Sequence, residues 1–247
     1  MKKRIVFLTL VSAFLLSAIV PASVVAQPRI VGVSVGDWFK YGEIEVDWSS
    51  NDPNATIPLQ NYTEMEWMTM LIEDISGTNV TGRMTMHFEN GTEEIEGGYI
   101  DIDTGEGENA TFWIISADLE ANDTIYSSID YSNWRINETI SKTYPDGQRN
   151  TNHLNLTVLI DQMGIYMYMS MNYYWDTTTG ALVELTQEYN ATMGETETSW
   201  SLSIRITESS VWVIPEFSTL PSTLFVIIVL AVAIAIYKRK LLKTPIQ

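Results

Sequence analysis

Alternation of apolar and polar side chains with a period of two is the feature that most constrains this chain. Within residues 164–175, GIYMYMSMNYYW, every second side chain from residue 165 onward is apolar: Ile165, Met167, Met169, Met171, Tyr173 and Trp175. Successive side chains of a strand point to opposite faces of a sheet, so this pattern predicts a half-buried strand. Similar segments are residues 38–48, 64–75, 80–88, 94–102, 111–115, 134–144, 153–160, 181–189 and 199–207. The sequence therefore predicts an all-β domain.

Turn signals separate these segments about every ten residues. Asn90-Gly91 is typical of a hairpin tip in which both residues take a positive φ, 144–148 contains Pro-Asp-Gly, and 176–180 closes on Gly180. Turns at this spacing imply an antiparallel meander. We expect one sheet, strongly curved or closed into a barrel-like shape, with the Met, Trp and Ile rows on its inner face. A two-sheet β-sandwich is the alternative, and only residues 116–129 have helical character.

The carboxyl-terminal segment has the composition of a membrane anchor. Residues 220–237 carry no charge, and Lys238, Arg239 and Lys240 follow at once. A helix of that length covers roughly 27 Å, close to the thickness of a hydrocarbon core. Basic residues directly behind an apolar run stay on the cytoplasmic side. The sequence predicts a transmembrane helix at 220–237 and a basic cytoplasmic tail at 238–247.

The amino-terminal segment is typical of a secretory signal peptide. Lys2, Lys3 and Arg4 precede an apolar run, and a small-residue stretch ends at Ala26, where cleavage is expected. An uncleaved anchor is the alternative. We expect residues 1–26 to be the signal peptide, 27–207 an exported β domain and 208–219 a stalk. The mature chain would cross the cell membrane once, amino terminus outside, with its main domain on the extracellular side.

The exported part is strongly acidic. Residues 27–219 hold all 31 acidic residues and seven of the 14 basic ones, so the formal charge of this part is −24. Nucleic acids and anionic headgroups need cationic contacts, so such a charge argues against both as partners. The chain has no cysteine and two histidines. The fold therefore depends on its own core, and the composition argues against thiolate and zinc sites.

Asn-x-Thr occurs nine times, against about two expected by chance from the 14 asparagines and 23 threonines of the exported part. This excess predicts N-glycosylation of a surface-exposed chain. The alternative is chance matching in a β domain rich in Asn and Thr. The candidate sites are Asn54, Asn61, Asn79, Asn90, Asn109, Asn122, Asn137, Asn155 and Asn190.

Candidate chemical sites are few. Asp101, Asp103, Glu106 and Glu108 flank two glycines and could meet on calcium, but the EF-hand order is not kept, which favours a solvated acidic loop. No phosphate loop and no nucleophile motif occurs in the sequence. We therefore expect no enzyme activity, no catalytic residues, no metal site and no cofactor. Both histidines are expected to point outward from strands.

Methionine is abundant on the predicted strands. The positions concerned are Met65, Met68, Met70, Met84, Met86, Met163, Met167, Met169 and Met171. Flexible thioethers most often fill a core, which is the favoured interpretation, but they also line cavities that accept apolar ligands. A lipid-binding or apolar-ligand module with a Met-rich concave sheet face is therefore the alternative function.

Three segments resemble known families. The tail, with Pro215-Glu216-Phe217, an apolar run and a basic end, resembles the Pro-Glu-Phe sorting signal (PEF-CTERM) of archaeal surface proteins. The resemblance implies that a membrane transpeptidase recognises the tripeptide and replaces the anchor. Residues 31–48, with VGDWFKY, and residues 173–189 resemble a group of archaeal exported proteins of unassigned function. Residues 173–189 are also distantly similar to bacterial lipoprotein-carrier domains, whose curved sheets hold acyl chains.

Together these observations predict a membrane-anchored, N-glycosylated, acidic cell-surface protein. We expect a structural role in the cell envelope, without catalysis. The measurement that separates this role from the lipid-binding alternative is the volume of any apolar cavity in the domain.

Overall fold

The computed structural model of this protein describes residues 28–110, 112–145, 147–162 and 165–212. The predicted signal peptide, the Pro-Glu-Phe motif, the transmembrane segment at 220–237 and the basic tail lie outside these residues. Among the residues that are described, no helix has the length and apolar character needed to cross a membrane.

Ten strands make up almost all of the regular structure. In chain order they are β1 (Trp38–Ser50), β2 (Met65–Ser76), β3 (Asn79–Phe88), β4 (Glu93–Asp101), β5 (Gly107–Glu108), β6 (Glu138–Tyr144), β7 (Gly147–Gln162), β8 (Ile165–Asp176), β9 (Leu182–Met193) and β10 (Thr196–Ser209). The helical elements in the described ranges are α1 (Gln60–Thr63) and a single 3-10 turn (Ile129–Tyr131). The prediction of an all-β antiparallel domain is confirmed.

All ten strands belong to one sheet, in the order β5-β4-β3-β2-β1-β10-β9-β8-β7-β6. Every neighbouring pair is antiparallel. Two five-strand meanders therefore meet at the β1–β10 pair, and the edge strands β5 and β6 lie at opposite ends of the order. The sheet is open, so the barrel-like closure is not formed, and the strands do not divide into the two sheets of a sandwich.

The connection between the two edges, which we call the crossover segment (residues 109–137), differs from the sequence prediction. Residues 112–115 do not form a strand, and 116–129 do not form an α-helix. Asp118 and Asn122 have φ angles of 57° and 75°, which interrupt any right-handed helix. The backbone of the segment bonds to the sheet instead, for example from the Ile115 N–H to the Gly180 carbonyl at 2.9 Å. Tertiary hydrogen bonds have replaced local ones.

The crossover segment covers one end of the sheet face that we call the inner face. Trp175 is fully buried there and donates from its indole Nε1 to the Phe112 carbonyl at 2.7 Å. The Asn152 side chain donates to the Leu119 carbonyl, also at 2.7 Å. Because buried polar groups need partners, these bonds select one position for the segment.

Strand β10 runs two residues past the predicted domain boundary at 207 and ends at Ser209. Trp212, from the expected stalk, packs edge-on against the buried ring of Phe39 with ring centroids 5.4 Å apart. The folded domain therefore includes the first residues of that stalk. The predicted turns also hold, except that only Gly91 of the Asn90-Gly91 pair takes a positive φ.

Gly180 is the position where the crossover segment comes closest to the sheet backbone, and we predict that Gly180→Ala is strongly destabilising. Gly180 has a φ of 70°, and an added Cβ would overlap the Ile115 carbonyl oxygen. Gly194 has a similar φ of 63° with open space around it. Left-handed backbone costs an alanine roughly 1–2 kcal/mol, so Gly194→Ala should lose about that amount. Gly180→Ala should lose about 3 kcal/mol or more, because the backbone clash adds to the strain.

Urea unfolding of the full-length chain, followed by circular dichroism, measures both losses. Equal losses for the two variants would mean that the crossover segment does not lie against Gly180.

Candidate functional site

The part of the inner face beyond the crossover segment is an apolar surface, which we call the open face. It is formed by two cross-strand rows over β1, β10, β9, β8 and β7, in which each residue is paired directly with the next. The first row is Trp48, Trp200, Tyr189, Met169 and Val158, and the second is Ser50, Thr198, Ala191, Met167 and Ile160. No charged side chain belongs to either row.

Exposure rises along the inner face. Two rows toward the crossover segment, Ile204 is 1% exposed and Leu154 is 2% exposed. In the row between, Leu156 and Met171 are half-buried. At the open face, Val158 is 40% exposed and Ile160 is 39% exposed. Tyr189 and Trp200 stack on each other there, with ring centroids 5.6 Å apart. An amphipathic sheet thus continues beyond the segment that covers it, and leaves an apolar surface of the kind that marks interaction sites.

The methionines divide between the two parts of the inner face. Met65, Met68 and Met70 of β2 are buried in the core, as the favoured interpretation predicted. Met167 and Met169 of β8 are half-buried on the open face. Met163 lies outside the described residues. One residue type therefore fills the core on one strand and lines an accessible surface on another.

An apolar pocket lies between the crossover segment and strands β2 to β4. Its lining includes Met70, Ile72, Met84, Ile100 and Trp113. The cavity volume is about 20 Å³, which is room for about one water molecule and far too little for an acyl chain. This pocket does not provide the enclosed cavity that the lipid-binding alternative requires.

The opposite side of the sheet, the outer face, is polar. On the strands that form the open face, the outward positions include Asp47, Ser201, Glu188, Ser170 and Thr157, which again form one cross-strand row. The outer side of these five strands is thus mostly hydrophilic, with Leu159 and Tyr166 as exposed exceptions on β7 and β8.

The candidate glycosylation sites all have at least partly accessible side chains. Seven of the asparagines are exposed, namely Asn54, Asn61, Asn90, Asn109, Asn122, Asn137 and Asn190. The remaining two, Asn79 and Asn155, are half-buried. Asn155 and Asn190 lie on the outer face, behind the open face. No site belongs to the open-face rows, so glycans at these positions would leave that surface bare.

Local structure gives some of these asparagines a second role. Asn109 and Asn122 have φ angles of 54° and 75°, and asparagine tolerates this conformation better than most residues. The Asn90 side chain accepts hydrogen bonds from both the backbone and the hydroxyl of Thr92, at 2.9 and 2.6 Å. The Asn155 amide donates to Asn172 at 2.8 Å. Turn and strand geometry therefore explains part of the asparagine content. At Asn90 and Asn155 it also explains the threonine two residues later, whose hydroxyl donates to the asparagine side chain. It does not explain the excess of nine such pairs.

An ion-pair network on the outer face joins the β6–β7 hairpin to the middle of the sheet. The Lys142 ammonium lies 2.8 Å from the Glu184 carboxylate and 3.6 Å from the centre of the Tyr174 ring. Arg205 lies 3.5 Å from Glu184 and donates to the Thr143 carbonyl at 2.6 Å. Sequence analysis missed this network because its contacts join residues that are 21 to 62 positions apart in the chain. Its contacts are internal, so it serves to hold the hairpin.

The acidic loop is organised by its own backbone. The Asp101 carboxylate accepts hydrogen bonds from the backbone N–H groups of Asp103 and Thr104, at 2.8 and 3.2 Å. Asp103 lies 3.6 Å from the Arg29 guanidinium. Glu106 and Glu108 are exposed. Across the described ranges, no group of three or more acidic, His or Cys side chains is placed to hold a metal ion.

Both histidines lie on the outer face between carboxylates and aromatic rings. His87 stacks on Trp67 at 4.8 Å and lies 3.4 Å from both Glu66 and Glu93. His153 stacks on Tyr174 at 4.4 Å. Both histidine side chains therefore point outward from strands, as the sequence predicted.

No protein-family model matches the sequence, and no curated protein matches it either. The resemblance to archaeal surface proteins therefore stays an expectation. The function of the domain is therefore inferred from its surfaces.

Substitution of Asp101 distinguishes a backbone-organised loop from a calcium site. Asp101→Ala removes the acceptor for two backbone N–H groups and should cost about 1 kcal/mol. Asp101→Asn keeps an acceptor oxygen and should stay close to the wild type. Thermal unfolding with and without a calcium chelator should give coincident curves. A lower midpoint with chelator, together with equal losses in both variants, would show that an ion is bound there.

Proposed function

We propose that this chain is a membrane-anchored, N-glycosylated protein of the cell surface, with a structural role in the envelope. The observation that carries the proposal is the placement of all nine Asn-x-Thr asparagines at exposed or half-buried positions of one domain. Hydrogen bonds from the threonine to the asparagine side chain account for the pair at Asn90 and Asn155, and N-glycosylation of an exported chain accounts for the excess of such pairs. The acidic surface supports the same role, since it keeps such a domain soluble outside the cell.

The two ends of the described domain are compatible with a carboxyl-terminal anchor. Ile30 bridges to Ala117 of the crossover segment, and Trp212 packs on Phe39 where β10 ends. Both ends of the domain therefore leave from the end of the sheet covered by the crossover segment. The open face lies toward the other end of the strands, where β10 begins. An anchor at 220–237 would hold the covered end of the domain nearer to the membrane.

The lipid-binding alternative is supported by the open face alone. Lipid-carrying sites normally enclose most of the ligand surface. The groove of about 310 Å³ beside Trp48 and Trp200 is lined mainly by polar and acidic residues, including Asp47 and Glu188. The apolar pocket against β2 to β4 holds about one water molecule. We therefore place the structural role first.

The glycosylation proposal predicts a stepwise change in mass. The full-length chain isolated from its native membrane should carry hexose-bearing additions, and Asn190→Gln should remove one of them. Asn133→Gln is the matched control, because Asn133 is also exposed but is followed by Trp134-Arg135 and lacks the threonine. Intact-mass spectrometry measures the mass of the wild type and of both variants. A wild-type mass equal to that of the bare polypeptide would contradict the proposal.

The anchor proposal predicts that the span is retained. Protein isolated from the native membrane should resist alkaline extraction, and its carboxyl-terminal peptide should end at Gln247. Peptide sequencing by mass spectrometry makes the measurement. A chain that ends near Phe217 with a new adduct would instead mean that Pro215-Glu216-Phe217 is a processing handle for a transpeptidase. A chain recovered wholly in the soluble fraction would rule out both forms of anchoring.

A further inference from the structure

Strand β7 has a free edge. Its first half pairs with β6, from Gly147 to His153, and it pairs with β8 from Thr151 to Gln162. From Leu154 onward no strand in the described part of the chain lies on its other side. Val158, Leu159 and Ile160 on this stretch are 40%, 61% and 39% exposed. A free edge with consecutive exposed apolar residues is a template for pairing with another strand.

The other free edges of this sheet are protected by charge, and that of β7 is not. β1 pairs with β2 only from Trp38 to Tyr41, and α1 lies against it. The charged residues along the free edges of β1, β4 and β6 include Glu43, Glu45, Asp47, Glu93, Glu94, Glu96, Glu138 and Lys142. On β7, residues 154–160 carry no charge, and Asp161 is the first. Natural sheets place charges on edges that must stay unpaired, so this contrast indicates an edge that is meant to pair.

The backbone groups that point outward from this edge can be identified. The Asn137 N–H donates to the His153 carbonyl at 2.8 Å, and the Asn155 N–H donates to the Asn137 side chain at 2.6 Å. Alternate residues of a strand direct their backbone groups to the same side. Thr157, Leu159 and Asp161 therefore direct both the N–H and the carbonyl to the free edge.

We propose that this edge is an interface between two copies of the chain, in which β7 pairs antiparallel with β7 of a second copy. The two-fold axis passes through Val158. Thr157 then lies opposite Leu159 of the partner chain, and Asn155 opposite Asp161. The two Thr157–Leu159 pairs exchange four hydrogen bonds. Each Asp161 N–H adds one bond to the Asn155 carbonyl, because the Asn155 N–H already donates to Asn137. The register therefore forms about six hydrogen bonds across the axis.

The absence of charge on residues 154–160 suits a second copy of the chain, because a cationic partner would find no acidic side chain to pair with on this stretch. The exported part carries −24, so two copies repel each other across most of their surface. Pairing through β7 brings the uncharged stretch 154–160 of each chain together, and Asp161 faces Asn155 rather than another acid. The same pairing joins the two open faces into one apolar face across both sheets. Isologous contacts of this kind close into a dimer without further growth.

Because the paired strands run in opposite directions, the covered ends of the two domains lie at opposite ends of the dimer. The two carboxyl-terminal segments therefore also leave from opposite ends. The proposal itself does not rest on glycosylation or on the anchor, since it depends only on the edge of the folded domain.

A single engineered cysteine tests the register in the full-length chain, which has no cysteine of its own. On the two-fold axis, Val158 faces itself at a non-hydrogen-bonded position, where Cα atoms are about 4.5 Å apart and a disulfide can form. Val158→Cys in detergent solution with a mild oxidant should give covalent dimer. Met193→Cys is the matched control, since Met193 is 62% exposed but lies away from the edge. The control should give roughly tenfold less dimer.

Two further variants separate pairing from accidental collision. Leu159→Pro removes an N–H that points to the free edge and leaves the β8 ladder intact, so it should abolish cross-linking in the Val158→Cys background. Leu159→Thr keeps that N–H and should preserve cross-linking in the same background. Val158→Lys places two cations opposite each other and should give monomer in light scattering, with circular dichroism reporting that the domain stays folded.

Salt dependence identifies the partner. Dimerisation of the wild type should strengthen with added salt, because screening reduces repulsion between two acidic copies. A wild type that stays monomeric from low to high salt overturns the proposal, and so does equal cross-linking by Val158→Cys and Met193→Cys. A monomer that co-purifies with lipid, identified by mass spectrometry of an organic extract, also overturns it and assigns the apolar surface to lipid.

Discussion

The packing of the crossover segment against one end of the inner face is the contact on which the rest of this structure depends. Sheets with one apolar face must bury that face against another element. Here the covering element is irregular chain, and it joins the two edge strands. Its backbone bonds to Gly180 and Leu182, and Trp175 and Asn152 donate hydrogen bonds back to it. Irregular backbone lacks the regular hydrogen bonds of a helix or sheet. Those tertiary hydrogen bonds therefore pair the polar backbone groups of the segment and also fix its position.

The extent of this cover sets the chemistry of the remaining surface. Where the crossover segment lies, side chains such as Tyr41 are fully buried; burial raises the pKa of the Tyr41 phenol far above its usual range, so it remains a neutral donor to the Leu182 carbonyl. Where the segment ends, the same strands continue with Trp, Tyr and Met side chains at the surface. The first half of β7 is paired by β6, while its second half is left as an unprotected edge. The open face remains because the crossover segment covers only one end of the inner face. The free edge remains because β6 (Glu138–Tyr144) is shorter than β7 (Gly147–Gln162).

The alternation of side chains predicted most strands to within a few residues, because a period of two is a local property. β2, β3, β4 and β8 lie almost where the pattern placed them. The pattern failed at 111–115 and 116–129, where partners far along the chain, including Ile30 and Gly180, determine the backbone. It also gave no sign of the network of Lys142, Glu184 and Arg205, whose members meet only after the sheet forms.

The sequence by itself determined the all-β class, the acidic charge, the nine Asn-x-Thr sites and the apolar character of both termini, since each is a property of composition or near-neighbour order. Only the tertiary structure decided that the sheet is open, which methionines are core, and which edge is bare. The physical reason is that burial and strand pairing depend on what lies across the sheet. Met70 and Met169 lie on the same inner face. Met70 is buried and lines a pocket with Trp113 and Ile114 of the crossover segment, whereas Met169 is half-buried beyond that segment.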